Sequence, residues 1–433
     1  MRRRNIVTFL GESDHARYLT TAVFAAQFVV FGLHLDPPGS IAEGLWRIIG
    51  TSDILITDYI AVGGAGAAFV NAGLLMMLSV CMLMRLGVRF TGVSAASIFL
   101  MGSFALFGKN LFNIWPIIFG VWLYSRVRGE PFARHVYTAL FGTSMAPVVT
   151  ELIFVVDLPL WERIPLGLAA GASIGLLLPP LAAQMTRVHR GFNLYNTGFT
   201  AGVLGTIYVS IFKSYGYEVS LQTIWSTGRD LQHGIFLSGL FALMIAAGLI
   251  IQPSPGAALK RIFACSGRLG TDFIETAGYG AALINMGING MAAAAYVLLV
   301  GGPLNGPTMG GILTVAGFGA FGKHIRNISP VLLGVFLGSL TKVWSINDPG
   351  ILLAALFGTS LAPISGHYGW VWGVAAGFIN SSVVLSSGVM HGGMNLYNTG
   401  FSAGLVAAVM VPLLDVFLKK KKSDGATEIV LPE

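Results

Sequence analysis

Residues 193–199 and 395–401 are the same seven letters, Asn-Leu-Tyr-Asn-Thr-Gly-Phe, and each copy sits inside a long apolar stretch. A polar string written twice in such surroundings makes the chain two copies of one unit, so its fold must hold the same element twice. The duplication extends well beyond the string. Thr57-Asp58 recurs as Thr271-Asp272, Asn71 as Asn285, and Phe107-Gly108-Lys109 as Phe321-Gly322-Lys323, all at an offset of 214 with no gap. Ala139-Leu140-Phe141-Gly142-Thr143-Ser144 recurs as Ala355-Leu356-Phe357-Gly358-Thr359-Ser360 at 216, and the strings that begin at His189 and His391 stand 202 apart. The chain divides accordingly into an N-terminal repeat, 1–215, and a C-terminal repeat, 216–433.

Composition decides the solvent of these units. Hydrophobic residues make up 54% of the chain and charged ones 10%, against roughly 25% charged in an average soluble protein. The expected fold is therefore an all-α polytopic membrane protein. Seven apolar stretches long enough to cross a bilayer can be placed in each half, among them 90–107 and 111–126 in the first and 304–322 and 326–342 in the second. That predicts about 14 transmembrane segments. An odd number per half makes the second copy enter from the opposite side, giving two inverted-topology repeats of the kind transporters use.

The basic residues agree with this reading. With the N-terminus inside, 20 of the 26 Lys and Arg fall on inside segments, including Arg2, Arg3, Arg4 and Lys419 to Lys422, and 6 fall outside. Both termini are then expected in the cytoplasm, in a bacterial inner membrane. A re-entrant loop at 90–107 or its repeat 304–322 is the alternative geometry. One-sided placement makes the net charge of +7 a topology and lipid signal, not a nucleic-acid surface. The partners expected are a small-molecule solute and the lipid bilayer, with a homo-oligomer left open.

Several classes of chemistry lack their residues. Cys81 and Cys265 are the only cysteines, so neither a disulfide framework nor a zinc site is expected. No Walker string, HExxH, nucleophile elbow or histidine cluster is present. The expectation is a protein that is not an enzyme and uses no cofactor or metal.

The candidate path residues are polar groups at places where helices should break. Gly142-Thr143-Ser144-Met145-Ala146-Pro147 and Gly358-Thr359-Ser360-Leu361-Ala362-Pro363 both lie mid-span. Proline removes a donor there, and matching interruptions in two halves point to a midplane site. A packed proline kink is the competing reading. In the repeated string, Asn193 and Asn196 share a helix face, as do Asn395 and Asn398. Their amides, with Tyr195, Thr197, Tyr397 and Thr399, offer donors and acceptors to a neutral solute. Gly198 to Gly202 and Gly400 to Gly404 are GxxxG spacings, so a helix seam competes for the same residues. Asn71 and Asn285 are further candidates.

Charged candidates are few. Asp58 and Asp272 open helices as caps. Lys109 and Lys323 follow glycine at helix ends, where a lysine snorkels to headgroups or, as a symmetric pair, attracts anions. Glu151 and His367 occupy equivalent positions, and an acid facing a base in this way suits proton coupling.

The duplicated ALFGTSxAP and HxGxNLYNTGFxAG strings resemble an uncharacterised family of bacterial integral membrane proteins known as a domain of unknown function. More distantly, the His391-Gly392-Gly393-Met394-Asn395-Leu396-Tyr397-Asn398 entry is similar to the Gly-Leu-x-Gly-Tyr/Phe-Asn helix of urea transporters. That resemblance implies inverted repeats and a narrow path on the pseudo-twofold axis. It departs in having seven spans per half where urea transporters have five, and Asn113-Ile-Trp-Pro116 and Asn327-Ile-Ser-Pro330 only loosely echo their Asn-Pro signature. The expected function is a transporter or channel for a small polar solute between the repeats. The alternatives are an anion or carboxylate carrier that uses Lys109 and Lys323, and a membrane scaffold or embedded enzyme.

Overall fold

The computed structural model describes residue 11 and residues 13–418. The Arg2–Arg4 and Lys419–Lys422 runs, on which the placement of the termini rests, lie outside the described residues. The first half forms α1 (Asp14–Leu35), α2 (Pro38–Gly50), α3 (Tyr59–Gly63), α4 (Ala65–Arg85), α5 (Gly92–Phe104) and α6 (Trp115–Arg128). It continues with α7 (Val136–Val155), α8 (Leu160–His189) and α9 (Asn196–Ser214). The second half repeats this order element for element. Its helices are α10 (Asp230–Ile251), α11 (Pro255–Ala264), α12 (Phe273–Ala277), α13 (Tyr279–Leu299), α14 (Gly306–Gly317), α15 (Ile325–Ser339), α16 (Pro349–Tyr368), α17 (Trp370–Met390) and α18 (Asn398–Phe417).

The protein is a polytopic helical membrane protein. Among the described residues nine helices are long and apolar enough to cross a bilayer: α1, α4, α7, α8, α10, α13, α16, α17 and α18. The remaining apolar stretches behave differently. α9 has 19 residues, whereas α5, α6, α14 and α15 have only 13, 14, 12 and 15. At 1.5 Å per residue these four reach roughly 18–22 Å, short of a hydrocarbon core of about 30 Å. Each consecutive pair, α5–α6 and α14–α15, is linked through a buried turn as an open hairpin whose two helices do not pack along each other, and falls where full spans were expected at 90–107 and 304–322.

The turns at the hairpin tips are buried, and side chains from neighbouring helices satisfy them. Asn71 of α4 donates through Nδ2 to the carbonyls of Ala105 and Lys109, both at 2.8 Å. Its counterpart Asn285 donates to Gly319 O at 2.7 Å and Lys323 O at 2.8 Å. Non-helical backbone survives at membrane depth only when protein supplies such partners. The base of the first hairpin lies level with the start of α7, where Ser94 and Tyr137 share a hydroxyl contact of 2.7 Å.

The two hairpin helices meet each other across the molecule. α5 and α14 run antiparallel, with Gly92 against Ala320 at one end and Leu106 against Gly306 at the other. Near that second end, the Ser103 hydroxyl bonds to Gly310 O at 2.5 Å and lies 2.7 Å from that of Thr314. Asp58 and Asp272 are the caps expected of them, and each caps twice. Asp58 accepts from Ile60 N at 2.9 Å and from Gly306 N, the start of the opposing α14, at 3.2 Å. Asp272 accepts from Ile274 N at 2.8 Å and from Gly92 N, the start of α5, at 2.7 Å. Acidic groups at helix N-termini complement the dipole and the free amide groups there.

The interruptions expected in α7 and α16 take a milder form. Each helix tightens into a 3-10 turn, at Thr143–Met145 and Thr359–Leu361, and then continues. Pro147 and Pro363 fall in the first positions of the renewed helix, where a missing donor costs little. Thr143 Oγ1 bonds back to Leu140 O at 2.7 Å, and Thr359 Oγ1 to Leu356 O at 2.6 Å, so freed carbonyls keep partners. α7 ends in a widened π turn at Glu151–Val155.

Candidate functional site

The two copies of the repeated string lie against each other. Asn193 Nδ2 donates to Gly400 O at 2.9 Å, and Asn395 Nδ2 donates to Gly198 O at 3.1 Å. Tyr195 and Tyr397 have ring centroids 4.8 Å apart, and Phe199 and Phe401 stack at 6.2 Å. Gly198 and Gly400 permit this approach, because a Cβ on Gly400 would stand 3.2 Å from the Gly198 Cα. Each string also crosses to the tightened turn of the other half. Leu194 N donates to Ser360 O and Leu396 N to Ser144 O, both at 3.0 Å.

The second asparagine of each string is held within its own half. Asn196 donates to Ala182 O at 2.9 Å and takes a 2.9 Å contact from His189 Nε2. Asn398 donates to Val384 O at 3.0 Å and has the matching His391 contact, also at 3.0 Å. The histidines thus orient asparagines. The side-chain amides of Asn193, Asn196, Asn395 and Asn398 each donate to a protein carbonyl, and Thr197 and Thr399 occupy the first turns of α9 and α18. Asn71 and Asn285 belong to the hairpin tips already described.

Lysines dominate the chemistry at the centre. Lys109 and Lys323 sit in the tips of the two hairpins and are both 0% exposed, so neither snorkels to a headgroup. Lys323 Nζ lies 2.5 Å from the Tyr195 hydroxyl and 2.7 Å from Thr359 Oγ1, over the rings of Tyr195 at 4.5 Å and Phe318 at 5.2 Å. Lys109 Nζ lies 3.3 Å from Leu140 O and 3.5 Å from Met101 Sδ, over the Phe104 ring at 5.1 Å. Phe104 in turn packs edge-on against Tyr397 at 4.6 Å, so the tyrosine pair joins both lysine environments. Among the described residues neither lysine has an acidic side chain within ion-pair distance.

Hydroxyl groups without partners surround this pair. Ser144 Oγ, Ser360 Oγ and the Tyr397 hydroxyl are buried with no hydrogen-bond partner among the described residues. Hydroxyls without partners and cations without an acidic counter-ion suit a ligand rich in acceptor oxygens or carrying negative charge. A small pocket of about 30 Å³ is lined by Leu55, Ile56, Phe357, Leu396, Asn398 and Thr399, and by neither lysine nor any of these three hydroxyls. That is room for about one water molecule. No His, Cys, Asp and Glu group fit to hold a metal occurs among the described residues.

Sequence reasoning reached the lysines, threonines, serines and tyrosines of this centre through their duplication. It missed the phenylalanine walls, Phe104, Phe318 and Phe357: Phe104 recurs as Phe318 and Phe141 as Phe357, but an apolar residue in an apolar span offers no polar chemistry to single it out. Asp53 was also missed. It is fully buried against Tyr59, Asn113 and Thr150, and no equivalent in the second half marks it out.

No curated protein and no solved structure matches the chain. One family model does, over residues 38–214 and 254–416, one window in each repeat. The chain therefore belongs to the family described as protein of unknown function, DUF1576.

Proposed function

We propose that the protein carries a small anion across a bacterial inner membrane, along a path between two inverted repeats, with no chemistry performed on the solute. The observation that carries this reading is the pair of buried lysines at equivalent positions without a carboxylate partner. A lone buried charge costs several kcal/mol in desolvation, which an entering counter-ion offsets. Ionisable groups at membrane depth mark solute and ion pathways for that reason. Buried hydroxyls at Ser144, Ser360 and Tyr397 supply further donors to the anion.

Contacts at the two ends of the bundle support inversion. At the end of α7, Glu151 accepts from Ser52 at 2.8 Å and from Tyr217, just past α9, at 2.5 Å. At the end of α16, Tyr368 donates to Asp415 of α18 at 2.6 Å, and Asp415 pairs at 2.8 Å with Arg190, just past α8. α8 is 30 residues long and begins five residues beyond Val155, so these clusters belong to opposite faces. The equivalent helices α7 and α16 then run in opposite directions. Fourteen segments arise in this reading as ten long helices and four short hairpin helices, with both termini on the cytoplasmic side.

A neutral polar solute is the second reading, favoured by those same unpartnered hydroxyls. Purified protein in liposomes, loaded in turn with chloride, phosphate, succinate, urea and glycerol, separates the two. Anion flux that falls on Lys109→Ala or Lys323→Ala is expected. Flux of urea or glycerol alone supports the second reading, and flux of none of the five counts against transport altogether.

A further inference from the structure

The first repeat holds a buried carboxylate that the second lacks. Asp53, in the connection between α2 and α3, is 0% exposed. Its oxygens accept from the Tyr59 hydroxyl, from Asn113 Nδ2 at 2.8 Å and from Thr150 Oγ1 at 2.6 Å. At the offsets that align the repeats, the same positions hold Gly267, Phe273, Asn327 and Gly366. Three donors survive as one, and the carboxylate is gone.

Among the described residues Asp53 has no basic side chain within ion-pair distance. Tyr59 faces it from α3 and Glu151 from α7, while Asn110 of the hairpin tip reaches the Tyr59 hydroxyl at 3.4 Å. Glu151 is itself held by Ser52 and by Tyr217. Neither acid has a basic side chain within ion-pair distance among the described residues. Ser52 and Tyr217 are half-buried, so the cluster leads from the surface inward. Burial pushes the Asp53 carboxyl up to about 7, with the Glu151 charge adding to the rise and the bonds from Thr150, Tyr59 and Asn113 opposing it.

Asp53 also holds two elements of the lysine centre, the first hairpin tip and α7. Asn113, which it holds, closes the hairpin tip by donating to Gly108 O at 3.0 Å and accepting from Asn110 N at 2.9 Å. Lys109 sits inside that closed turn. Thr150 lies on α7, the helix that also carries Thr143 and Ser144.

We propose that Asp53 is a proton-binding group that couples proton movement to passage of the anion, an inference that rests on the transport reading above. A proton from the aqueous phase adds to the oxygen facing Tyr59, and the same proton leaves when the carboxylate reforms. While it is bound, the Asn113 and Thr150 contacts are no longer charge-assisted and weaken roughly twofold. The grip on the tip that carries Lys109 relaxes. The second repeat, with Gly267 in this place, has no such grip to release.

The test uses vesicles loaded with a pH-sensitive dye and clamped at zero membrane potential, with chloride, phosphate and succinate gradients imposed in turn. In wild type an inward anion gradient acidifies the lumen, and a gradient of about one pH unit drives about tenfold accumulation of a monovalent anion. Asp53→Asn is expected to keep anion counterflow and to lose both proton effects. Counterflow in wild type with no proton movement overturns this inference alone, and absence of counterflow overturns the transport reading.

An infrared titration of the detergent-solubilised protein provides a readout independent of flux. A carboxylic C=O band that titrates near neutral pH in wild type and vanishes in Asp53→Asn supports the assignment, and its persistence in that variant overturns it. If Asp53→Asn does not fold, Tyr59→Phe removes one donor and is expected to raise the midpoint of that band. An unchanged midpoint overturns the assignment.

Discussion

Lys109 and Lys323 occupy equivalent positions in two copies of one unit, yet their surroundings differ. Lys323 has two hydroxyl partners, Tyr195 and Thr359. Lys109 has a carbonyl and a thioether, and Tyr397, the counterpart of Tyr195, has a hydroxyl without a partner. The difference traces to one residue. Met101 stands where the second repeat has Val315, and its sulfur takes the Thr143 hydroxyl at 3.4 Å as well as the lysine. A long flexible thioether fills space that the shorter valine leaves to a hydroxyl. One site is engaged and the other is slack.

The largest expected effect comes from removing the lysines. Loss of hydrogen bonds to a charged group, about 1.5–3 kcal/mol, corresponds to roughly tenfold to hundredfold lower anion flux for Lys323→Ala. A smaller loss is expected for Lys109→Ala in the same liposome assay. Equal losses would mean that the asymmetry has no functional weight.

The glycine seam supplies a symmetric control. A Cβ at Gly202 would overlap Phe401, and one at Gly404 would overlap Phe199. Gly202→Ala and Gly404→Ala are each expected to cost about 1–3 kcal/mol through overpacking, read as matched drops in Tm in detergent. Unequal drops would extend the asymmetry beyond the lysines.

The tyrosines come next. Tyr195→Phe removes a hydroxyl bonded to Lys323 and is expected to destabilise by about 1.5–3 kcal/mol. Tyr397→Phe removes an unpartnered buried hydroxyl and is expected to be neutral or stabilising by about 1 kcal/mol. Thermal unfolding of the pair decides, and a reversal of the order would show the engaged and slack sites to be wrongly assigned.

Met101→Val is the smallest. It gives the first repeat the residue of the second, at a cost of about 1 kcal/mol in packing. It frees Thr143 for Lys109. Its informative combination is with Tyr397→Phe, which should now be as destabilising as Tyr195→Phe.

Much of this arrangement was legible because the chain states it twice. The duplicated lysines, threonines and tyrosines of the centre, and the duplicated aspartate caps, stand out by recurrence alone. The hairpins do not. Ala105-Leu106-Phe107 continues the apolar character of α5 through the point where the helix ends, so hydropathy runs on past the turn. What permits the turn is Asn71, 34 residues earlier in sequence and 2.8 Å from Ala105 O in space. Asp53 was hidden for the opposite reason, since a residue present in one copy gives recurrence nothing to find. The depth of the lysines was misjudged with the hairpins: a lysine after glycine reads as a helix end at the headgroups only if the preceding helix has crossed the bilayer.

The contact between the twin strings has a further consequence. Asn193 of one string meets Gly400 of the other, and Asn395 meets Gly198, the same pairing read from either side. Such a surface is isologous, the kind that joins subunits of a two-fold dimer. A single repeat therefore carries both faces of the interface, and two copies of a half-length chain would present matching surfaces to each other without a linker. A substitution at Asn193 or Gly198 alone disturbs one of the two matching contacts and leaves the other in place, so a change that keeps the seam symmetric must be made in both strings.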